Sequence, residues 1–274
     1  MKKNHDSTQT YVRLATFILM LLFVSACDTI DKNNYLIPME LPAAKQKVLI
    51  EDYTGMKCPN CPKGATIIDS LKSVFGENII PVSIHSGVYA QPSGIFTKDF
   101  RTEAGTAYNS YFGVEAYPTG IVNRNLYHDK LKLDIWEWNG AVIHHTTQES
   151  PLGISISGIW SEGNRNLTLK IDISVFRETT PDLKLQVWLV EDSIVALQVN
   201  ESKIEKEYVH NRVLRGAING TWGETLTGIT KNTIISKTIQ YNIPENFIYE
   251  KCSIVAFVYK EKDKSVVQVN ELKL

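Results

Sequence analysis

The sequence predicts an exported chain of two parts, an α/β domain followed by an all-β domain built as an antiparallel sandwich. Three observations carry this. From Lys47 to Glu149, short apolar runs alternate with segments of helical period. Beyond Ser150 the period drops to two and strand follows strand. Ahead of both lies a basic, then apolar, N-terminus ending in Val24-Ser25-Ala26-Cys27, the layout of an export signal. With 274 residues, 43% of them hydrophobic and 22% charged, the chain can bury two domain-sized cores. A net charge of −1 offers no basic stripe, so nucleic acid is not an expected partner.

The elements follow in order. Lys2, Lys3 and Arg13 precede the apolar run Leu14 to Val24, which is too short to span a bilayer comfortably. Val24 to Cys27 resembles a bacterial lipobox, whose cysteine is lipidated and becomes the mature N-terminus. Residues 1–27 are therefore read as a lipoprotein signal, with lipid on Cys27 as the expected link to a membrane. Residues 28–46, polar and holding Pro38 and Pro42, read as a tether. The first domain is expected over 47–149 and the second over 150–274.

In the first domain, "KVLIEDY" (Lys47 to Tyr53) is an apolar run suited to a buried parallel strand. Ile67, Ile68, Leu71, Val74 and Phe75 share one helical face, and Gly76 is a plausible stop. Ile79 to His85 is a second strand, Phe96 to Phe112 a second helix and Tyr117 to Asn123 a third strand. Asp134 to Thr147 is a third helix, with Ile135, Trp138, Val142 and Ile143 on its inner face. In the second domain, Leu167 to Val175 and Leu183 to Leu189 alternate strictly. Thr233 to Ile243, Ser253 to Tyr259 and Val266 to Leu272 are further strands, the last two joined as a hairpin across "KEKDK". Asn200 to Lys231 reads as a long irregular segment. It is either functional or packed on the first domain.

The chemistry concentrates at "EDYTGMKCPNCPKGA" (Glu51 to Ala65). Of four cysteines, Cys58 and Cys61 form the close pair, and Cys252 reads as a small buried hydrophobe. A C-x-x-C alone is compatible with a redox centre, half a zinc site or a fixed disulfide. Its position narrows the choice. A buried strand ends just before it and an amphipathic helix leaves just after it. That puts Cys58 at a helix N-terminus, where the dipole stabilises a thiolate, and Pro59 at the first helical position. Cys61, about one turn on, can resolve a mixed disulfide formed at Cys58. A structural zinc site wants four ligands. No second pair has suitable spacing, and the adjacent His144 and His145 diverge on a helix.

This arrangement resembles the thioredoxin fold. The resemblance implies that Asp52, six residues before Cys58, is the buried acid that exchanges a proton near Cys61, with Glu51 its competitor should the strand register slip. It further implies that Tyr117 and Pro118, in "YPT", are the loop that faces the cysteines and holds a substrate backbone. Pro59-Asn60 is closer to the Pro-His pair of periplasmic disulfide oxidases than to the Gly-Pro of thioredoxin. Lys57 departs from the usual tryptophan, and an insertion is expected within Ser86 to Phe112. Over nearly the whole chain, the lipobox, "YTGMKCPNCP", "AYPTGIVNR" and "YVHNRVLRGAINGTWGE" resemble the outer membrane protein 28 family. That resemblance implies a thioredoxin-like domain followed by an immunoglobulin-like one, carried by an outer membrane lipoprotein facing the periplasm or the cell surface.

The expected function is a membrane-anchored thiol–disulfide oxidoreductase acting on the thiols or disulfides of exported proteins. Cys58, Cys61 and Asp52 would carry the chemistry, Tyr117 and Pro118 the substrate, and no cofactor would be needed. The competing expectation is a non-catalytic binding or adhesion lipoprotein that keeps Cys58–Cys61 as a fixed disulfide. His85, at the end of a strand, is more simply structural. His210, Arg212, Arg215 and Trp222 suit a binding surface or domain packing equally well.

Overall fold

Ala44–Lys45 (β1) begins the described part of the computed structural model, which covers residues 44–274. The lipobox and Cys27 lie outside the described residues. β1 pairs with Glu149–Ser150 (β5), and the Gln46 amide side chain donates to the carbonyls of Val266 and Val267. The last residues of the expected tether are thus fastened to the fold.

Val48–Thr54 (β2) is buried along its whole length, as an apolar run covered on both faces requires. It pairs in parallel with Ile79–His85 (β3) and antiparallel with Thr119–Val122 (β4). Cys61–Phe75 (α1) connects β2 to β3 and ends at Gly76, whose φ of 55° is readily available only to glycine. Val48 and Ile50 pack with Ile68 and Leu71 of α1 and with Trp138 and Val142 of Trp138–Thr146 (α4). On the opposite face, Leu49 and Tyr53 pack with Ala104 and Tyr108 of Glu103–Tyr111 (α3).

Several expected boundaries move. Val74 and Ile143 were expected on inner faces but are 75% and 47% exposed, because neither α1 nor α4 is covered there. α4 begins at Trp138 rather than Asp134. Most of the expected helix from Phe96 is irregular, and α3 begins only at Glu103. The Thr102 hydroxyl accepts from the Gly105 N–H at 2.9 Å and so caps α3. Phe96 and Phe100 share a four-residue spacing because both fill one apolar cluster. A single helical turn, Gly87–Ala90 (α2), stands earlier in the insertion.

In the second half, Leu152–Ser161 (β6), Asn166–Val175 (β7) and Ile234–Asn242 (β13) make a three-stranded antiparallel sheet. Its inward leucines and isoleucines meet those of Leu183–Glu191 (β8) and Cys252–Lys260 (β14) in one core. Val266–Lys273 (β15) pairs with β14 across the expected hairpin.

The main correction falls on Asn200 to Lys231, about half of which is strand rather than irregular. Ile194–Asn200 (β9) and Lys203–His210 (β10) form a hairpin. Val213–Ala217 (β11) then enters the large sheet between β8 and β3, and Glu224–Thr225 (β12) adds to β8. Val213 and Leu214 are buried on opposite faces of β11, one towards Met56 and the other towards Trp188 and Tyr108. A strand with two apolar neighbours of this kind has to sit inside a sheet. The result is a mixed, β-rich fold in which one eight-stranded sheet, ordered β15-β14-β8-β11-β3-β2-β4 with β12 on β8, runs through both halves.

A buried ion pair stands in that shared core. Arg124 donates from Nε and Nη2 to the Glu51 carboxylate at 2.8 and 2.7 Å, and both side chains are fully buried. The guanidinium lies 4.9 to 5.7 Å from the ring centroids of Tyr108, Phe112, Trp188, Phe257 and Tyr259. Glu51 therefore belongs to this core, and Asp52 points to the other face.

Candidate functional site

β2 ends at Thr54, and Gly55 turns the chain against α2. A Cβ at Gly55 would lie 2.6 Å from the Tyr89 carbonyl carbon, so only glycine allows the approach. The Lys57 N–H donates to the Tyr89 carbonyl at 3.0 Å, and the Lys57 ammonium donates to the Ser93 hydroxyl at 2.9 Å. Cys58 and Cys61 are joined as a disulfide with their Cα atoms 5.5 Å apart. The helix starts later than expected. Asn60 is its N-cap and Cys61 its first residue, while Pro62 takes an early helical position and Pro59 stays in the turn outside. Cys58 accordingly precedes the helix, and it is Cys61 that sits on the first turn.

Asp52 is 2% exposed, and its Oδ1 has no hydrogen-bond partner. Burial raises its pKa from 3.8 to about 7, against the pull of the Arg212 guanidinium. Asp52, Cys61, His85, Tyr208, His210 and Arg212 line one small cavity of about 50 Å³. The two imidazole rings stand 5.5 Å apart, each against Phe100. Burial holds His85 well below its usual range and lowers His210 to about 4, so both are neutral at pH 7. Arg212 pairs with Asp69 of α1 at 2.8 Å. The cavity thus joins Cys61 of the disulfide, a carboxyl whose pKa burial raises to about 7, and a nearby cation.

The other expected residues lie outside this cavity. The Tyr117–Pro118 bond is cis. Pro118 faces α1 at Gly64, where a Cβ would lie 3.4 Å from the proline Cβ. The Tyr117 hydroxyl donates to Asn109 Oδ1 at 2.6 Å, and its ring meets Tyr89 edge-on. Asp52 and Cys61 share the cavity, whereas Tyr117 and Pro118 are not among its lining residues. Arg215 pairs with Glu191 and lies over Phe247, and Trp222 packs on Tyr108 and Tyr111. Both serve packing. Cys252 is buried and free, its thiol pushed up to about 12, first by burial and then by Glu191.

Sequence reasoning missed the β9–β10 hairpin over the cysteines. The Val199 N–H donates to the Met56 carbonyl at 2.8 Å and the Glu201 N–H to the Pro59 carbonyl at 2.9 Å. The Gln198 amide donates to the Cys58 carbonyl at 3.0 Å. Cys58 is left 1% exposed. Alternation in "IVALQVN" could have marked β9 as a strand, but nothing local says which loop it covers.

No curated protein matches the chain. Among solved structures, HBP35 of Porphyromonas gingivalis is similar with a TM-score of 0.68 and 16% identity, over 85% of this chain and 77% of that one. A protein of Agrobacterium tumefaciens has a TM-score of 0.50 and 13% identity, over 85% and 96%. At these identities the likeness is one of fold alone. A domain of the outer membrane lipoprotein Omp28 from Porphyromonas gingivalis is 25% identical with a TM-score of 0.33, over 46% of this chain and 88% of that one. Among the described residues no helix is long and apolar enough to cross a membrane. The family model described as outer membrane protein Omp28 matches residues 105–274. With more than half its length matched, the chain belongs to the outer membrane protein Omp28 family, and the outer membrane is its location.

Proposed function

We propose that the chain is a lipid-anchored thiol–disulfide oxidoreductase, with a thioredoxin-like first half and an immunoglobulin-like second half, acting on exported proteins. One observation carries this reading. A disulfide at a strand-to-helix corner shares a cavity with a buried carboxyl whose pKa is about 7. In the oxidising direction a substrate thiolate attacks Cys58 Sγ and the Cys58–Cys61 bond breaks. Cys61 leaves as a thiolate and takes a proton, for which Asp52 is the nearby donor. A second substrate thiolate then attacks the mixed disulfide and releases Cys58. Two electrons pass from the substrate dithiol to the cysteine pair, and a partner disulfide restores it. Tyr117 and Pro118 would hold the substrate backbone beside α1.

The near-complete burial of Cys58 favours a second reading, a surface-binding or adhesion lipoprotein with a fixed disulfide. The two separate in one experiment. The reduction potential of the purified protein is measured, together with insulin reduction and disulfide donation, beside Cys58→Ser. The redox reading expects a potential within the range of known exchange proteins, about −120 to −270 mV, and loss of activity in the variant. A pair that resists strong reductant, with no activity lost on substitution, supports the second reading instead.

A further inference from the structure

Among the described residues β10 pairs with β9 alone, so the hairpin is in no larger sheet. Its hold on the cysteine loop is made of few parts. There are the two main-chain bonds to Met56 and Pro59, and the Gln198 amide, which also reaches the Gly55 carbonyl at 3.4 Å. There is an ion pair between Lys63 and Glu201 at 3.1 Å, with both ends solvent-exposed. Beneath lies an apolar cluster in which Ile194, Ala196, Leu197 and Val199 of the hairpin meet Met56, Phe96 and Phe100, and the buried His210 at its end packs on His85 and Phe100. By contrast, β14 is paired along its length on both sides.

The base of the hairpin is defined. Ser193 and Arg212 stand on either side of it with φ of 60° and 58°, left-handed conformations uncommon outside glycine. The Ser193 N–H donates to Asn211 Oδ1 at 2.9 Å and the Arg212 N–H to Asp192 Oδ1 at 2.7 Å. The Ser83 N–H then holds the Arg212 carbonyl at 2.7 Å, which pins the exit strand to β3. A unit held at its base and standing outside the large sheet opens at lower cost than the whole fold.

We propose that the β9–β10 hairpin is a hinged cap that swings off the Met56–Pro59 loop before any thiol can attack Cys58. Its regulatory purpose rests on the redox reading, whereas the shielding itself needs only the disulfide. Attack on a disulfide requires an open approach to the sulfur, and with the hairpin closed Cys58 is almost fully buried. Freed, the carbonyls of Met56 and Pro59 become acceptors for the main chain of an extended polypeptide, the same bonds that the hairpin makes now through Val199 and Glu201.

The test uses the full chain in detergent. Dithiothreitol reduces the pair, its two thiols closing to the cyclic disulfide as Cys58 and Cys61 each gain a hydrogen, and alkylation with mass analysis follows the rate. Gln198→Ala, and the double variant with Glu201→Lys, are expected to speed reduction by about tenfold or more, because the closed state loses hydrogen bonds the open state never had. In the unaltered chain the Val199 and Glu201 amides are expected to exchange with deuterium together, and far faster than the amides of β14. Folded variants reduced at the parent rate would overturn the cap. So would Val199 and Glu201 amides as protected as β14, a measurement that decides the matter even if the variants do not fold. A reduced, unfolded polypeptide serves as a second thiol donor. If it exchanges with none of the chains while dithiothreitol shows the gain, the redox reading falls and the cap stands.

Discussion

Replacing Asp52 with asparagine keeps the shape of the side chain and removes its charge, so the stability of the two chains should part with pH. The folded pKa is about 7 and the ordinary value 3.8, raised because burial disfavours the carboxylate. Between those values the folded chain keeps a proton that the unfolded chain has released. Stability therefore falls as pH rises through this window. At about 1.36 kcal/mol per pH unit the whole effect is roughly 4 kcal/mol. The asparagine amide stands in the same buried position and costs about 1–3 kcal/mol at every pH. Asp52→Asn is then the less stable chain near pH 4 and draws level or better above pH 7. Urea unfolding of both chains from pH 4.5 to 8, with the disulfide intact, gives the difference directly. His85 and His210, held neutral by burial, add stability as pH rises towards 6.5. That contribution is common to both chains and cancels in the difference. A difference that stays flat to within about 1 kcal/mol would refute the claim that burial keeps Asp52 protonated through this window.

Two further outcomes follow from packing. Arg124→Met leaves the Glu51 carboxylate buried and unpaired and should cost about 3–5 kcal/mol in urea unfolding, while Glu51→Leu with Arg124→Met should recover most of it. A double variant as unstable as the sum of the single losses would contradict this. Gly55→Ala forces a methyl group into the Tyr89 backbone and should cost about 1–3 kcal/mol. It should also speed dithiothreitol reduction of the cysteine pair, because the loop under the hairpin has to shift. An unchanged melting temperature and reduction rate would show that α2 yields freely.

The positions of β2, β3 and α1 were legible in the chain because their apolar periods are local and strong. Asp52 was legible for the same reason, since alternation with Val48 and Ile50 puts it on the face that α1 covers. Helix limits were less so. Phe96 and Phe100 carry a helical spacing but answer to a cluster completed by Met56, Ala196 and Val213, which are distant in sequence. Val74 and Ile143 complete an apolar face in sequence that no element covers in space.

What the sequence determined by itself was the run from β2 through α1 to β3, the cysteine pair at a strand-to-helix corner, and the acid beside it. All of these rest on neighbours within a turn or a strand. Only the tertiary structure decided that β11 would stitch the two halves into one sheet, that Glu51 would go to Arg124, and that Asp52 would share a cavity with His85 and His210. It also decided that a hairpin more than 130 residues downstream would close over Cys58, with Gln198 bonding its carbonyl across a separation of 140. Such pairings depend on which unpaired backbone groups and apolar faces come to rest side by side. No local period encodes that.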